Sequence, residues 1–193
     1  MTESRTDRPS SEQIAGEIKR RKRRRQLRRV IRSALYGLLT VAALAILVST
    51  LFFPALKIYG NSMTPTLEEG EIVIARKGSS FKPGDIIAFY YNNKILVKRV
   101  ICGPGDWFNM QSDGTVFVNG VRLEEPYVTE EGFGPCDLNL PYQVPDGQFF
   151  VMGDQRLSSV DSRMSQIGCI STEHIVGKIF LCIWPFDHAG LIE

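Results

Sequence analysis

Ser62 lies in the segment Gly60-Asn61-Ser62-Met63-Thr64-Pro65-Thr66-Leu67. Gly60 permits tight backbone geometry and Pro65 restricts the chain just beyond the serine, so Ser62 is presented on a constrained turn. Such a serine is either an ordinary turn residue or a nucleophile in need of a base. Histidine, the usual base, occurs only twice, at His174 and His188, beside no recognisable nucleophile. A Ser-His-Asp arrangement is therefore poorly supported. A lysine can replace the imidazole if burial strips its proton.

Lys98 offers that chemistry. In Leu96-Val97-Lys98-Arg99-Val100, strand alternation sets Leu96 and Val100 on the same face as Lys98. Apolar neighbours on that face lower an amine's pKa by desolvation. Pattern alone equally describes a solvated lysine lying over an apolar strand. A third segment, Gly153-Asp154-Gln155-Arg156-Leu157-Ser158-Ser159-Val160-Asp161-Ser162-Arg163, is dense in hydrogen-bonding groups and follows an apolar strand. Its Asp and Arg residues could brace a site and one of its serines could orient the lysine; a solvated loop would read similarly.

These segments need elements to hold them. The chain has 193 residues, 44% hydrophobic and 23% charged, with a formal net charge of +2. That length suits one or two domains and excludes a large multidomain enzyme. Residues 1–32 carry 12 Lys/Arg against 4 Asp/Glu, residues 33–53 carry no charge, and residues 54–193 carry 11 against 17. The 21 uncharged residues from Ser33 to Phe53 would span about 32 Å as a helix, enough to cross a bilayer. The apolar run is too long for a cleavable signal peptide, and Phe52-Phe53-Pro54-Ala55 is a poor cleavage site. It reads as an uncleaved anchor.

The basic run around Lys19–Arg25 then reads as a retained cytoplasmic flank rather than a nucleic-acid patch. Residues 1–10 are expected to be disordered, with a short basic helix starting near Ser11. Ser62 stands nine residues beyond the apolar run, within about 30 Å of its end even in an extended chain. A nucleophile so placed suits a substrate that is itself in the membrane.

Residues 54–193 punctuate as β structure. Expected strands are 71–75, 86–91, 95–101, 115–118, 148–152 and 175–183, with Asn92-Asn93 forming a hairpin turn. Asp113-Gly114, Asn119-Gly120 and Asp146-Gly147 are further turns, Thr172-Glu173 suits a short helical turn, and 126–145 reads as a long loop. The four cysteines, at 102, 136, 169 and 182, permit two disulfides in an exported domain, in any of three pairings. Cys182, in an apolar strand, also suits a buried thiol. No cysteine pair has a histidine beside it, which argues against a metal site.

Taken in order, the segments resemble type I signal peptidases, membrane-anchored serine proteases with a Ser-Lys dyad. Gly60–Leu67 resembles the nucleophile box. Lys98-Arg99-Val100 with Gly103-Pro104-Gly105-Asp106 resembles the general-base box, and Gly153–Arg163 the last box. Pro83-Gly84-Asp85, Val118-Asn119-Gly120 and Glu125-Pro126-Tyr127 also fit, so the likeness runs over residues 33–186. It implies a mostly β, antiparallel catalytic domain with one N-terminal transmembrane helix and an apolar surface resting on the bilayer. Its parts would be a basic cytoplasmic segment (1–32), an anchor (33–53) and an extracytoplasmic peptidase domain (54–193).

The resemblance further implies that Ser62 is the nucleophile and Lys98 the general base. Ser159 would bond the lysine amine, Asp161 and Arg163 would brace the site, and Asp154 and Arg156 would support it. The Ser62 backbone N–H would bind the oxyanion. Gly60 stands where some members add a hydroxyl, Gln155 where Asn is usual, and Leu157 where a polar residue is usual. Lysine at 98 argues against the branch that uses histidine there. No cofactor is implied. The implied substrates are preproteins, bound as extended strands, with small residues at −1 and −3 in shallow pockets. By position, Ile58, Met63, Leu67 and Val97 are the candidate walls, or else plain core. Two other readings explain part of the chain. A specialised Ser-Lys processing peptidase shares every box. A bitopic envelope protein that only binds a partner explains the anchor but not the boxes.

Overall fold

The computed structural model describes residues 11–78, 80–130 and 132–192. The expectation of disorder for 1–10 lies outside the described residues. The chain divides into two compact units, residues 1–49 and 50–193.

The first unit is helical. Helix α1, Ser11–Phe52, runs unbroken for 42 residues. The basic stretch is therefore not a separate short helix but the first turns of the apolar one. No proline interrupts it, and Pro54, which cannot supply a helical N–H, stands just past its end. Within it, Lys19–Phe52 is long and apolar enough to cross a membrane, and none of its most apolar window is buried. Leu38, Val41, Leu44 and Ile46 each expose more than 60% of their surface. A helix apolar on all faces and uncovered by protein suits hydrocarbon as its surroundings.

The second unit is antiparallel β structure, as the resemblance implied. Its strands are β1 (Ala55–Lys57), β2 (Ile72–Arg76), β3 (Ile86–Tyr91), β4 (Lys94–Cys102), β5 (Trp107–Met110), β6 (Val116–Val118), β7 (Val121–Arg122), β8 (Tyr142–Gln143), β9 (Gln148–Met152), β10 (Ile170–Ser171), β11 (Ile175–Trp184) and β12 (Gly190–Leu191). The large sheet has the order β1-β2-β11-β3-β4-β9-β10, with β12 also paired to β11; the small sheet has the order β7-β6-β5-β8. Asn92 and Asn93 have φ of 44° and 64°. Positive φ at both central residues makes the tight two-residue turn that sets Tyr91 against Lys94 and so fixes the register of β4.

Six strands escaped the sequence reading: β1, β5, β7, β8, β10 and β12. All are four residues or fewer, too short for alternation to show. β8 also places a strand inside the expected 126–145 loop, while the expected turn at Thr172-Glu173 is a 3-10 helix, Thr172–His174. The permitted disulfides are not formed: all four cysteines are free thiols. Cys102 and Cys182 are core residues, and burial pushes the Cys102 thiol up to about 12 and that of Cys169 to about 11.

Candidate active site

The loop carrying Ser62 is pinned at its base. Ile58 N–H donates to the Glu71 carbonyl at 2.8 Å, and Gly70 N–H donates to the Ile58 carbonyl at 3.0 Å. Between these bonds Gly60 takes φ +80°, a conformation open to glycine. Thr64 N–H bonds the Asn61 carbonyl at 3.1 Å and Leu67 N–H that of Met63 at 2.9 Å. Met63 and Leu67 drop into the core with Ile58, Val73 and Ile86. Their burial anchors the turn and leaves Ser62 half-buried, on the wall of a cavity of about 750 Å³.

Lys98 lines the same cavity. It lies in β4 opposite Ile87 of β3 and is 4% exposed. Its Nζ donates to Ser159 Oγ at 3.0 Å. Burial is the main influence on the amine and lowers its pKa from 10.5 to about 8. Asp161 and Asp154 pull it upward and Arg163 pulls it down, but desolvation outweighs them. The amine's pKa is thus brought toward neutral pH mainly by loss of water.

Gly153 lets the Ser62 loop and Ser159 approach each other. A Cβ at this position would collide with the Ser159 hydroxyl and the Ser62 carbonyl. The same carbonyl accepts the Gln155 N–H at 3.1 Å, and Ser159 N–H donates to the Gln155 carbonyl at 3.1 Å. Ser62, Gln155 and Ser159 are thereby linked through backbone.

The carboxylates and guanidiniums beneath the site are paired, though not as their sequence neighbourhood suggests. Asp161 and Arg163, both fully buried, form a two-pronged pair at 2.8 and 2.9 Å. Asp161 also accepts the Gly153 N–H at 3.0 Å, and Arg163 donates to the carbonyls of Phe133 and Arg156. Asp154 does not join Arg156. It takes Arg99 in a two-pronged pair at 2.9 and 2.8 Å and accepts Thr66 Oγ1 at 2.5 Å. Arg156 turns instead to Glu125, at 2.5 and 2.9 Å, and donates to the Gly153 carbonyl at 3.0 Å. No buried side-chain nitrogen or oxygen among the described residues lacks a partner, as a low-dielectric polar network requires.

Four members of this network carried no role in the sequence reading: Arg99, Thr66, Glu125 and Tyr127. Arg99 is 3% exposed, with the Tyr127 ring 3.8 Å from its guanidinium carbon. The signal was present in Val97–Cys102: an arginine inside an apolar strand must find a partner. Thr66 joins the Ser62 loop to Asp154, next to Gly153. Of the proposed pocket walls, Ile58, Met63 and Val97 line the cavity beside Ser62. Leu67 does not; at 1% exposed it is packed below the loop, because the turn that raises Ser62 points it inward. Neither histidine lines the cavity; His188 sits 3.2 Å from Glu71, a contact that raises its pKa.

The cavity has a strand edge on its wall. Lys94 to Val97 pair with β3 on one side, and the pairing of β4 with β9 begins only at Arg99. An edge of this kind can take an added strand.

Comparison with known proteins identifies the family. The family model described as signal peptidase, peptidase S26, matches residues 31–184. Signal peptidase I U of Bacillus subtilis (strain 168) is 32% identical over 177 residues, covering 86% of this chain and 92% of the relative. Signal peptidase I P of Bacillus subtilis subsp. natto is 37% identical over 164 residues, covering 78% and 88%. A crystal structure of a signal peptidase I from Enterococcus faecalis V583 is 30% identical with a TM-score of 0.44, covering 51% of this chain and 96% of that one. The chain belongs to the signal peptidase family, peptidase S26.

Proposed function

We propose that Ser62 and Lys98 form the catalytic dyad of this signal peptidase, acting on signal-peptide-bearing preproteins. The observation that carries the reading is Lys98: a buried amine with its pKa near 8, aimed by a hydroxyl, on the same cavity wall as Ser62. Neutral Lys98 Nζ takes the Ser62 Oγ proton as that oxygen attacks the scissile carbonyl. The Ser62 backbone N–H faces the oxyanion, and Gly60 adds no hydroxyl. Collapse breaks the peptide bond, and the proton passes from Lys98 to the departing amine, the new N-terminus of the mature protein. Lys98 then deprotonates a water that attacks the acyl-enzyme, and the proton returns to Ser62.

The preprotein lies as an extended strand along the open edge of Lys94–Val97, with its small −1 and −3 side chains against Ile58, Met63 and Val97. Asp161, Arg163 and Asp154 hold Ser159, Gly153 and Arg99 in place around the dyad, and Arg156 ties the last box to Glu125. The reaction needs no cofactor. Helix α1 anchors the chain as a single membrane span, with its basic start cytoplasmic and residues 54–193 across the membrane, in keeping with the positive flank. In sealed right-side-out vesicles, external protease should then cut residues 54–193 and spare residues 1–32; a protected β domain would reverse the orientation.

One assay tests the chemistry. The detergent-solubilised chain and its Ser62→Ala variant are incubated with a preprotein, and the N-terminus of the product is sequenced. Cleavage after a small residue by the unaltered chain alone is the expected result. Equal cleavage by Ser62→Ala would remove Ser62 from the mechanism.

A further inference from the structure

The groove beside Ser62 carries charge that the proposed chemistry does not use. Besides Lys98, two lysines line it, Lys57 at the end of β1 and Lys94 at the start of β4. Both are exposed, and no Asp or Glu is among the lining residues. The bias is local, since residues 54–193 hold 17 acidic against 11 basic side chains. Four other basic groups of this unit are matched to carboxylates: Arg99 to Asp154, Arg156 to Glu125, Arg163 to Asp161 and Lys178 to Asp85. Lys57 instead stands 5.7 Å from the ring of Tyr59, another residue of the groove wall. Among the described residues, neither Lys57 nor Lys94 is within salt-bridge distance of a carboxylate.

Position along the strand says where these charges act. Lys94 is four residues from Lys98 on β4, about 13 Å at a strand rise of about 3.3 Å per residue. A peptide paired along this edge, with its scissile bond at Ser62, therefore sets a residue about four or five places away beside Lys94. The apolar pocket walls Ile58, Met63 and Val97 share the cavity with Lys94, which puts that residue on the signal-peptide side of the cut. We infer that Lys57 and Lys94 are specificity-determining residues, favouring Asp or Glu and rejecting Lys or Arg at −4 and −5. The inference rests on the reading that this groove holds the preprotein. An exposed charge pair raises affinity by about threefold and a like-charge pair lowers it by about as much, so Glu and Lys facing one of these lysines differ by about tenfold.

The test is a preprotein series identical except for Glu, Gln or Lys at −5, with matched series at −4 and +2. It is cleaved by the full chain in neutral detergent, which removes lipid phosphate from the comparison. For the unaltered chain, kcat/KM at −4 or −5 should be about tenfold higher for Glu than for Lys, falling with added salt. In the Lys57→Gln/Lys94→Gln variant that ratio should close to within about twofold. The ratio is internal to each variant, so a general loss of turnover does not imitate the effect. A flat series with the Gln substrate cleaved overturns the inference and leaves the peptidase reading standing. A preference that persists in the double variant, or appears only at +2, also overturns it. No cleavage of the Gln substrate by the unaltered chain overturns both.

Discussion

Lys98 and Lys178 stand in one row of the large sheet. Both are paired in register with Ile87, one from β4 and the other from β11. They share residue type, strand context and an apolar neighbour, yet their surroundings differ. The Lys178 side chain is 34% exposed and its Nζ meets Asp85 at 2.5 Å. Lys98 is 4% exposed and meets a neutral hydroxyl, with the Asp161 carboxylate committed to Arg163. A lysine held by a carboxylate is an ion pair. A lysine deprived of water and given only a hydroxyl is driven toward its neutral form. What separates the two amines is thus mainly burial, with the adjoining loop offering Lys98 a hydroxyl where Lys178 meets a carboxylate.

The sharpest way to break this comparison is activity. Lys98→Ala should lower the rate of preprotein cleavage by about a thousandfold or more, the scale on which loss of a dyad member acts. Lys178→Ala should stay within about twofold. Comparable losses in the two variants would mean that Lys98 acts through the sheet and not through Ser62.

Stability separates the carboxylates next. Asp161→Ala leaves Arg163 buried without its partner and should cost about 3–5 kcal/mol in a denaturant melt. Asp85→Ala strips a lysine that still reaches water and should cost about 1 kcal/mol or less. If the two losses are equal, burial does not distinguish the pairs.

The third test is pH. Folding lowers the Lys98 pKa from 10.5 to about 8, so between these values the unfolded chain binds more protons than the folded one. Stability therefore rises with pH across that window, and the full penalty, about 3 kcal/mol, is present below about pH 8. Lys98→Met should flatten this dependence and raise stability at pH 7 by up to that amount, while abolishing cleavage. A large fall in Tm would instead mark Lys98 as a structural ion-pair partner. In the unaltered chain, cleavage should rise with pH to a plateau above about 8.

The smallest effect is expected at Ser159. Ser159→Ala removes the acceptor that favours the charged amine. The rising limb of the pH–rate profile should shift to lower pH while kcat falls about 10- to 100-fold from the lost orientation. A fall in kcat with an unmoved limb would limit Ser159 to packing.

Much of this arrangement was legible in the order of residues. The long strands β3, β4, β9 and β11 showed because five or more residues of one pattern suffice to reveal a period, and the Asn92-Asn93 turn set the β4 register. Ser62 and Lys98 could be singled out by type, spacing and family likeness. Of the strands of four residues or fewer only β6 was legible, from the turn dipeptides on either side of it, because so few residues contain too little of a period. The partner of each charge was not legible. Asp154 lies two residues from Arg156, but Arg99, 55 positions away in sequence, takes it, since β4 and β9 are neighbours in the sheet.

The sequence alone therefore settled the local properties: where an uncharged helix must run, where long strands alternate, where glycine and asparagine turn the chain, and which serine and lysine are candidates. These depend on neighbours within a few residues. Tertiary structure alone decided which carboxylate meets which guanidinium, that of the two core residues Leu67 and Met63 only Met63 also lines the groove, that the cysteines stay unpaired, and that Lys98 rather than Lys178 loses its water. Those outcomes depend on solvent exclusion and on contacts between distant segments, which exist only once the loops around Gly60 and Gly153 have closed on β4.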